Sequence, residues 1–426
     1  MNNSHKLEKI LIIVSSLLPL LLIIGPAISD ISIVLISSIF IFISLKDRKL
    51  FYYNNWYFIF FLIVCLFLIL LSLNSENIKL SMESTLFYFR FGFFTLAIAY
   101  LVKNKNFIKY FTYCLLICFF ILIFDAIIEF LFNFNFLYFI NFIIEPSQGR
   151  VSSLFGNEHI LGSYLVRLLP ISILLILINF KNKKYFNYFF YIFVTFVSIV
   201  VFISGERTAF FMLILIIILM LLLIKNIRKN LVITILPMIF IFICLIYSNS
   251  IIKNRMIKLT FNQVISTKEN SNDLNINFFS VQHEVIYKTS FKIFRDNPIL
   301  GIGPKSFRNI CKNSKYHSFT EEDRSINGCQ THPHNTYVQF LVETGTLGFF
   351  LITFIFLTIC FQIIKSLKNI NKKLNNNELI KILSLISIFV NLWPLMPNGN
   401  FFNNWLSIIF YIPVGFYFSQ KIKKQL

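Results

Sequence analysis

Apolar residues along this chain gather in runs close to twenty residues long, separated by short polar stretches rich in lysine and asparagine. A helix needs roughly 20 apolar residues to span a bilayer, so each run reads as one membrane-crossing helix. The runs lie at 10–29, 31–45, 55–73, 85–102, 107–133, 160–180, 187–204, 208–224, 231–247, 335–364, 379–395 and 404–419. They predict an all-α polytopic membrane protein with about 12 transmembrane helices. The stretch from about Ser248 to Pro333 is far longer than an ordinary connection and reads as one large loop with a role of its own. Within it, Val285, Ile286, Ile293 and Phe294 recur at near-helical spacing, which predicts a helix lying at the membrane surface and stopped by Asn297-Pro298. The chain therefore divides into an N-terminal bundle (1–247, about nine helices), the loop (248–334) and a C-terminal set of about three helices (335–426). A second long connection runs from about Asn133 to Glu158 and contains Arg150.

Composition agrees with that class: 57% of residues are hydrophobic and 14% charged. The first run ends in Gly25-Pro26-Ala27-Ile28-Ser29, small enough for a signal-peptide cleavage site, but its length and the helices after it favour a retained span. The formal charge of +20 comes from short clusters between apolar runs, not from a stripe on a soluble face, which argues against nucleic acid as a partner. The clusters fall in every second connection: Lys46/Arg48/Lys49, Lys103/Lys105, Lys181/Lys183/Lys184, Lys225/Arg228/Lys229, Lys365/Lys368/Lys372/Lys373 and the tail Lys421/Lys423/Lys424. Because cytoplasmic loops carry the positive excess, both termini are expected in the cytoplasm and the large loop outside it.

Ionisable residues inside spans are costly and mark sites or pathways. Arg90, Asp125, Glu129, Arg167 and Glu343 all fall toward the outer ends of their runs, as in a protein that works at one face; a transporter would place such groups at the midplane. The plain alternative is that Asp125 and Glu129 pair with Arg90 or Arg167 to neutralise buried charge. Five cysteines (Cys65, Cys114, Cys118, Cys244, Cys360) lie in apolar runs as small hydrophobes. Cys311 and Cys329 share the large loop; in an oxidising compartment a disulfide between them would hold the segment before His332.

That segment, His332-Pro333-His334-Asn335-Thr336, joins the loop to a span, and Pro333 and Asn335 suit a helix start. A histidine near the positive end of a helix dipole favours the neutral imidazole, a competent general base. The simpler reading is a polar residue capping an interfacial helix.

His334-Asn335 followed by Leu341, Glu343, Gly345 and Gly348 resembles the O-antigen ligase and O-antigen polymerase superfamily. So do Asn297-Pro298-Ile299-Leu300-Gly301-Ile302-Gly303-Pro304, Ser204-Gly205-Glu206-Arg207-Thr208-Ala209, and Arg150 with Phe155-Gly156-Asn157. The resemblance is strong from about Arg150 to Ile364 and weak over the first third. It implies an inverting, metal-independent glycosyltransferase with no cofactor. Such an enzyme moves a glycan from a polyprenyl diphosphate to a lipid A-core hydroxyl at the periplasmic face of a bacterial inner membrane. Joining of lipid-linked repeat units (a polymerase) or transfer to protein hydroxyls stays open, and a lipid-linked glycan transporter is the rival of another class. A diphosphate leaving group needs fixed cations when no metal is present, and arginine suits it. Arg207, in a tight turn between two spans, is the first candidate; Arg150 is the second, and Lys305 and Arg308 follow. His334 is the candidate base, with His332 assisting and Asn335 and Glu343 lining the substrate site. Relatives often have an arginine at the start of the loop helix where this chain has His283, so Arg150 or a protonated His283 is expected to substitute. His332, His334 and Cys329 make a poor metal set, and Glu321-Glu322-Asp323 reads as a solvated loop face.

Overall fold

A computed structural model describes residues 2–139, 150–267, 274–276, 279–319, 327–368 and 370–422. The acidic run 321–323 lies outside the described residues. Helices of eight residues or more are α1 (Asn2–Ile24), α2 (Pro26–Lys46), α3 (Trp56–Leu73), α4 (Ile78–Thr85), α5 (Arg90–Leu101), α6 (Lys105–Phe132) and α7 (Leu161–Phe180). They continue with α8 (Phe186–Ile203), α9 (Arg207–Leu223), α10 (Arg228–Ser248), α11 (Val281–Asp296), α12 (Thr336–Leu367), α13 (Asn376–Asn391) and α14 (Asn404–Ile422). A small antiparallel hairpin pairs Ile265–Thr267 with Leu274–Ile276 in the large loop.

Most of each apolar run is helical, although run 10–29 crosses from α1 into α2 at Gly25 and run 379–395 outlasts α13, and among the described residues nine helices are long and apolar enough to cross a membrane. The expected count of about twelve is thus met only in part. α9 has 17 residues, and α13 has 16 and opens on the polar Asn376-Asn377-Glu378, so each has less apolar length than a full crossing needs. Asparagine starts many of these helices: the side chains of Asn55, Asn104, Asn335 and Asn375 each accept backbone N–H groups of the first turn. Asn133, with φ 56°, ends α6 in the left-handed conformation asparagine tolerates.

α7 is the axis of the bundle. Its apolar window is 89% buried, against 22% for α10 and 28% for α12, because α6, α8, α9, α13 and α14 all pack around it. The outer helices carry exposed Phe124, Leu131, Phe350, Phe354 and Phe361, as a surface solvated by lipid requires.

The loop has a core of its own. Ile286 and Ile293 of α11 pack with Ile302, Phe307, Ile310 and Val342. The expected surface helix is present, but its apolar stripe is buried on protein, mainly against α12, instead of facing lipid. Residues 297–303 cross α12 where it breaks at Gly345 (φ 68°, ψ −167°). That break turns the carbonyls of Val342 and Glu343 toward the loop, where Ile302 N–H (3.1 Å) and Gly303 N–H (2.9 Å) donate to them, and Thr346 N–H donates to Pro298 O (2.8 Å). The crossing is too close for side chains: a Cβ on Gly301 would stand 2.6 Å from the backbone of residues 343–345, and one on Gly345 would overlap the Ile299 carbonyl. Both glycines also have positive φ.

Gly345→Ala and Gly301→Ala are therefore expected to destabilise the protein by about 1–3 kcal/mol or more each. Thermal unfolding in detergent should show the loss, whereas Gly25→Ala, with open space around its Cβ, should cost less.

Candidate active site

His334 sits at the junction of the large loop with α12, two residues before the helix begins. Its φ of 55° is unusual for a residue with a Cβ and needs neighbours to hold it. They are at hand: Asn398 N–H donates to the His334 carbonyl (2.7 Å), and Asn335 caps α12 while its amide donates to Pro394 O (2.7 Å). Two further imidazoles face His334, with ring centroids at 4.0 Å for His332 and 5.9 Å for His283. Burial pushes all three below the ordinary histidine range. His334 is lowered by burial alone, His283 to about 4 by burial with His334 and Arg207 nearby, and His332 to about 3 by burial with His334 and Arg308 nearby. Burial thus favours the neutral imidazole expected of His334. A protonated His283 as a substitute cation does not fit, because desolvation and Arg207 both oppose its charge. Its Nδ1 is hydrogen-bonded to Ser280 Oγ (2.6 Å), the residue that caps α11.

The cations come from three separate connections. Arg207 opens α9 after the Gly205-Glu206 turn. Arg150 lies in the segment before α7, and Arg255 lies in a π-helical turn, Lys253–Lys258, at the start of the large loop. Arg255 Nε donates to the Gly205 carbonyl (2.9 Å), docking it on the Arg207 turn. Burial, then the charges of Arg150 and Arg207, lower Arg255 to about 10, so three partly exposed like charges lie near one another. Arg255 was not distinguished in sequence from the basic loop residues Lys253 and Lys258, and the position after a long apolar span was its only signal. His159 was missed as well; its half-buried ring is lowered by burial and by Arg150 and Arg255.

Three carboxylates near these connections take backbone and serine donors. Asp125 accepts from Phe136 N (2.6 Å) and Ser153 Oγ (2.5 Å), and Glu129 from Ser153 N (2.6 Å) and Ser152 N (3.2 Å). Together they hold the segment that follows Arg150. The alternative in which they pair with Arg90 or Arg167 is overturned: Arg90 pairs with Asp30 (2.8 Å), and Arg167 binds Ser163, Asn391 and Asn398. Glu206 caps α7 through Gly162 N (2.6 Å) and Ser163 N (3.0 Å), and burial pushes its carboxyl up to about 7 against the pull of Arg150 and Arg167.

Lys305 and Arg308 lie on the far side of His332, where Arg308 bears on His332 and Lys305 is held below its ordinary range by burial, then by Arg308. Arg308 Nε and His332 Nε2 are buried with no hydrogen-bond partner among the described residues. Glu343, fully buried in α12, accepts from Gln339 Nε2 (2.9 Å) beneath the Gly303 turn. Cys311 and Cys329 are joined in a disulfide with Cα atoms 5.0 Å apart, which ties the strand leading to His332 to the loop core. Cys329 is therefore no thiolate ligand, and among the described residues no three His, Cys, Asp or Glu side chains gather as a metal set.

Residues 190–353 match the family model described as O-antigen ligase, in a chain whose described residues include nine helices long and apolar enough to cross a membrane. The matched segment includes Arg207, Arg255, His283, Lys305, Arg308, His332, His334, Asn335 and Glu343, while Arg150 lies before it. No curated protein matches the chain.

Two outcomes are expected. Because the three histidines are neutral in the fold, the unfolded chain binds more protons once pH falls below about 6.5, the ordinary histidine value. Their contribution to stability should be complete above that pH and be lost as pH falls toward about 4 for His283 and about 3 for His332. Ring-shift titration of histidine-labelled protein checks the values. Closing a loop with a sequence separation of 18 by a disulfide contributes about 3 kcal/mol in the chain-entropy model. Cys329→Ser, or reductant, should lower the unfolding temperature by several degrees.

Proposed function

We propose that this protein is an O-antigen ligase-type glycosyltransferase. It moves a glycan from a polyprenyl diphosphate, such as undecaprenyl diphosphate, to a hydroxyl of a lipid A-core acceptor at the periplasmic face of a bacterial inner membrane. The reading is supported by half-buried His334, whose ring faces His283, and by Arg207, which bears on that His283 and, with Arg150, on Arg255. His334 takes the proton of the acceptor hydroxyl, whose oxygen bonds to the anomeric carbon as the bond from that carbon to the diphosphate oxygen breaks. Attack from the face opposite the diphosphate inverts the anomeric centre. The departing diphosphate carries the electron pair, and the arginines stabilise it as fixed cations in a dry site. Arg255 supplies the loop cation that His283 cannot. Lys305 and Arg308, on the side of His332, are placed to meet the acceptor. The basic clusters at alternate connections put the lysine-rich ends in the cytoplasm and this site outside it.

A purified-protein transfer assay tests the reading. His334→Ala should lower the rate by about 10²–10⁴-fold and Arg207→Ala or Arg255→Ala by about 10²–10³-fold, with no effect of a chelator. Transfer that survives His334→Ala sinks the assignment of the base. In a deletion strain, loss of all long chains from the core with accumulation of lipid-linked polymer supports the ligase. A core bearing one repeat means a polymerase, and altered glycoproteins with unchanged lipopolysaccharide mean transfer to protein.

A further inference from the structure

Arg167 is the most deeply buried arginine in the bundle, about two turns into α7, and its bonding does not fit a residue kept only for packing. Its hydrogen-bond partners are neutral: Nε donates to Ser163 Oγ (2.9 Å), Nη1 to Asn391 Oδ1, and Nη2 to Asn398 Oδ1 (2.8 Å), with the Glu206 carboxylate acting on it from beyond hydrogen-bond contact. A cation hydrogen-bonded in an apolar bundle to hydroxyl and amide groups alone is costly, and a hydrophobic residue would hold α7 to α13 more cheaply. What the guanidinium adds is a rigid fork that grips the end of α13 and the loop after it at the same time.

That loop, residues 392–403, clasps the start of α12. Besides the Asn398 N–H bond to His334 O, Asn398 Nδ2 donates to Thr336 Oγ1 (3.3 Å) and Phe401 N–H donates to Gln339 Oε1 (2.9 Å). Asn400 Oδ1 accepts from Gln339 Nε2 (3.0 Å). Of these contacts, the one at His334 holds a backbone in the left-handed region, and the same asparagine that makes it is the one Arg167 grips. At its other end Arg167 bonds to Ser163, whose N–H is capped by Glu206, the neighbour of Arg207.

We infer that Arg167 is a positioning residue for His334: through Asn398 it holds the base in its left-handed backbone conformation, in register with the Arg207 turn. The inference rests on the reading of His334 as the base. Arg167 touches no reacting atom and acts through one loop residue.

Single-turnover transfer separates this role from a structural one, because the amplitude counts folded sites and the rate constant reads the chemical step. The probes are an undecaprenyl-diphosphate-linked oligosaccharide as donor and lipopolysaccharide core lacking O-antigen as acceptor. Arg167→Gln and Asn398→Leu should each slow the rate constant about 10–100-fold, as expected for a displaced base, with the amplitude and the KM for donor within about twofold of the unmodified protein. The double variant should be no slower than the slower single variant, since both break one link. Asn398→Asp keeps the acceptor for Arg167 and the backbone N–H, and should stay within about threefold of the parent. A fall in amplitude with an unchanged rate constant, or fully multiplicative single effects, overturns the inference. If His334→Ala keeps the parent rate, the reading of the site fails and the inference with it. If His334→Ala is inactive while Arg167→Gln and Asn398→Leu keep the parent rate, the inference alone fails.

Discussion

The arrangement of this site depends on how buried carboxylates are satisfied. Asp125, Glu129 and Glu206 lie within an apolar bundle that also buries arginines, and direct ion pairs would be the simplest resolution. Each carboxylate instead takes backbone N–H or serine donors: Glu129 and Asp125 from residues 152–153, Glu206 from the first turn of α7. Hydrogen bonds to the ionised form stabilise it without a cation. The acids thereby become loop anchors, while Arg150 and Arg207 lie near enough to Arg255 to help hold it below the ordinary arginine range.

The second half of the site is held by geometry. The break in α12 at Gly345 exposes two carbonyls that the 297–303 segment uses, so the large loop is hydrogen-bonded to the same helix whose start carries His334. The disulfide adds a tether on the approach to His332, and residues 392–403 close over the start of α12 from the other direction. At His334 itself the contact is Asn398 N–H on its carbonyl, which fastens a backbone in the left-handed region.

Much of this was legible without coordinates. Apolar run lengths located the helices, because a bilayer sets one length for every crossing. Gly301, Gly345 and the His334-Asn335 pair stood out through the family resemblance they carry, and Asn335 also as a residue suited to start a helix. Arg255 did not stand out, since a basic residue in a polar loop looks like any solvated lysine or arginine until another turn, that of Gly205, is seen beneath it. The pairing of Asp125 and Glu129 with arginines was the natural expectation from charge alone. It failed because the competing donors are backbone N–H groups, which every residue but proline carries and which composition does not reveal.

By itself, then, the sequence determined the class of the protein, the places of the helices and the side chains able to do chemistry, since these depend on local length, hydropathy and residue type. Only the tertiary structure decided which of those side chains lie near one another. It gathers Arg150, Arg207 and Arg255 from three connections, makes His283 neutral by burying it beside Arg207, and links Arg167 to His334 through Asn398. The reason is physical: burial, like-charge proximity and a shared hydrogen-bond partner are properties of distances between segments far apart in the chain, and no local pattern encodes them.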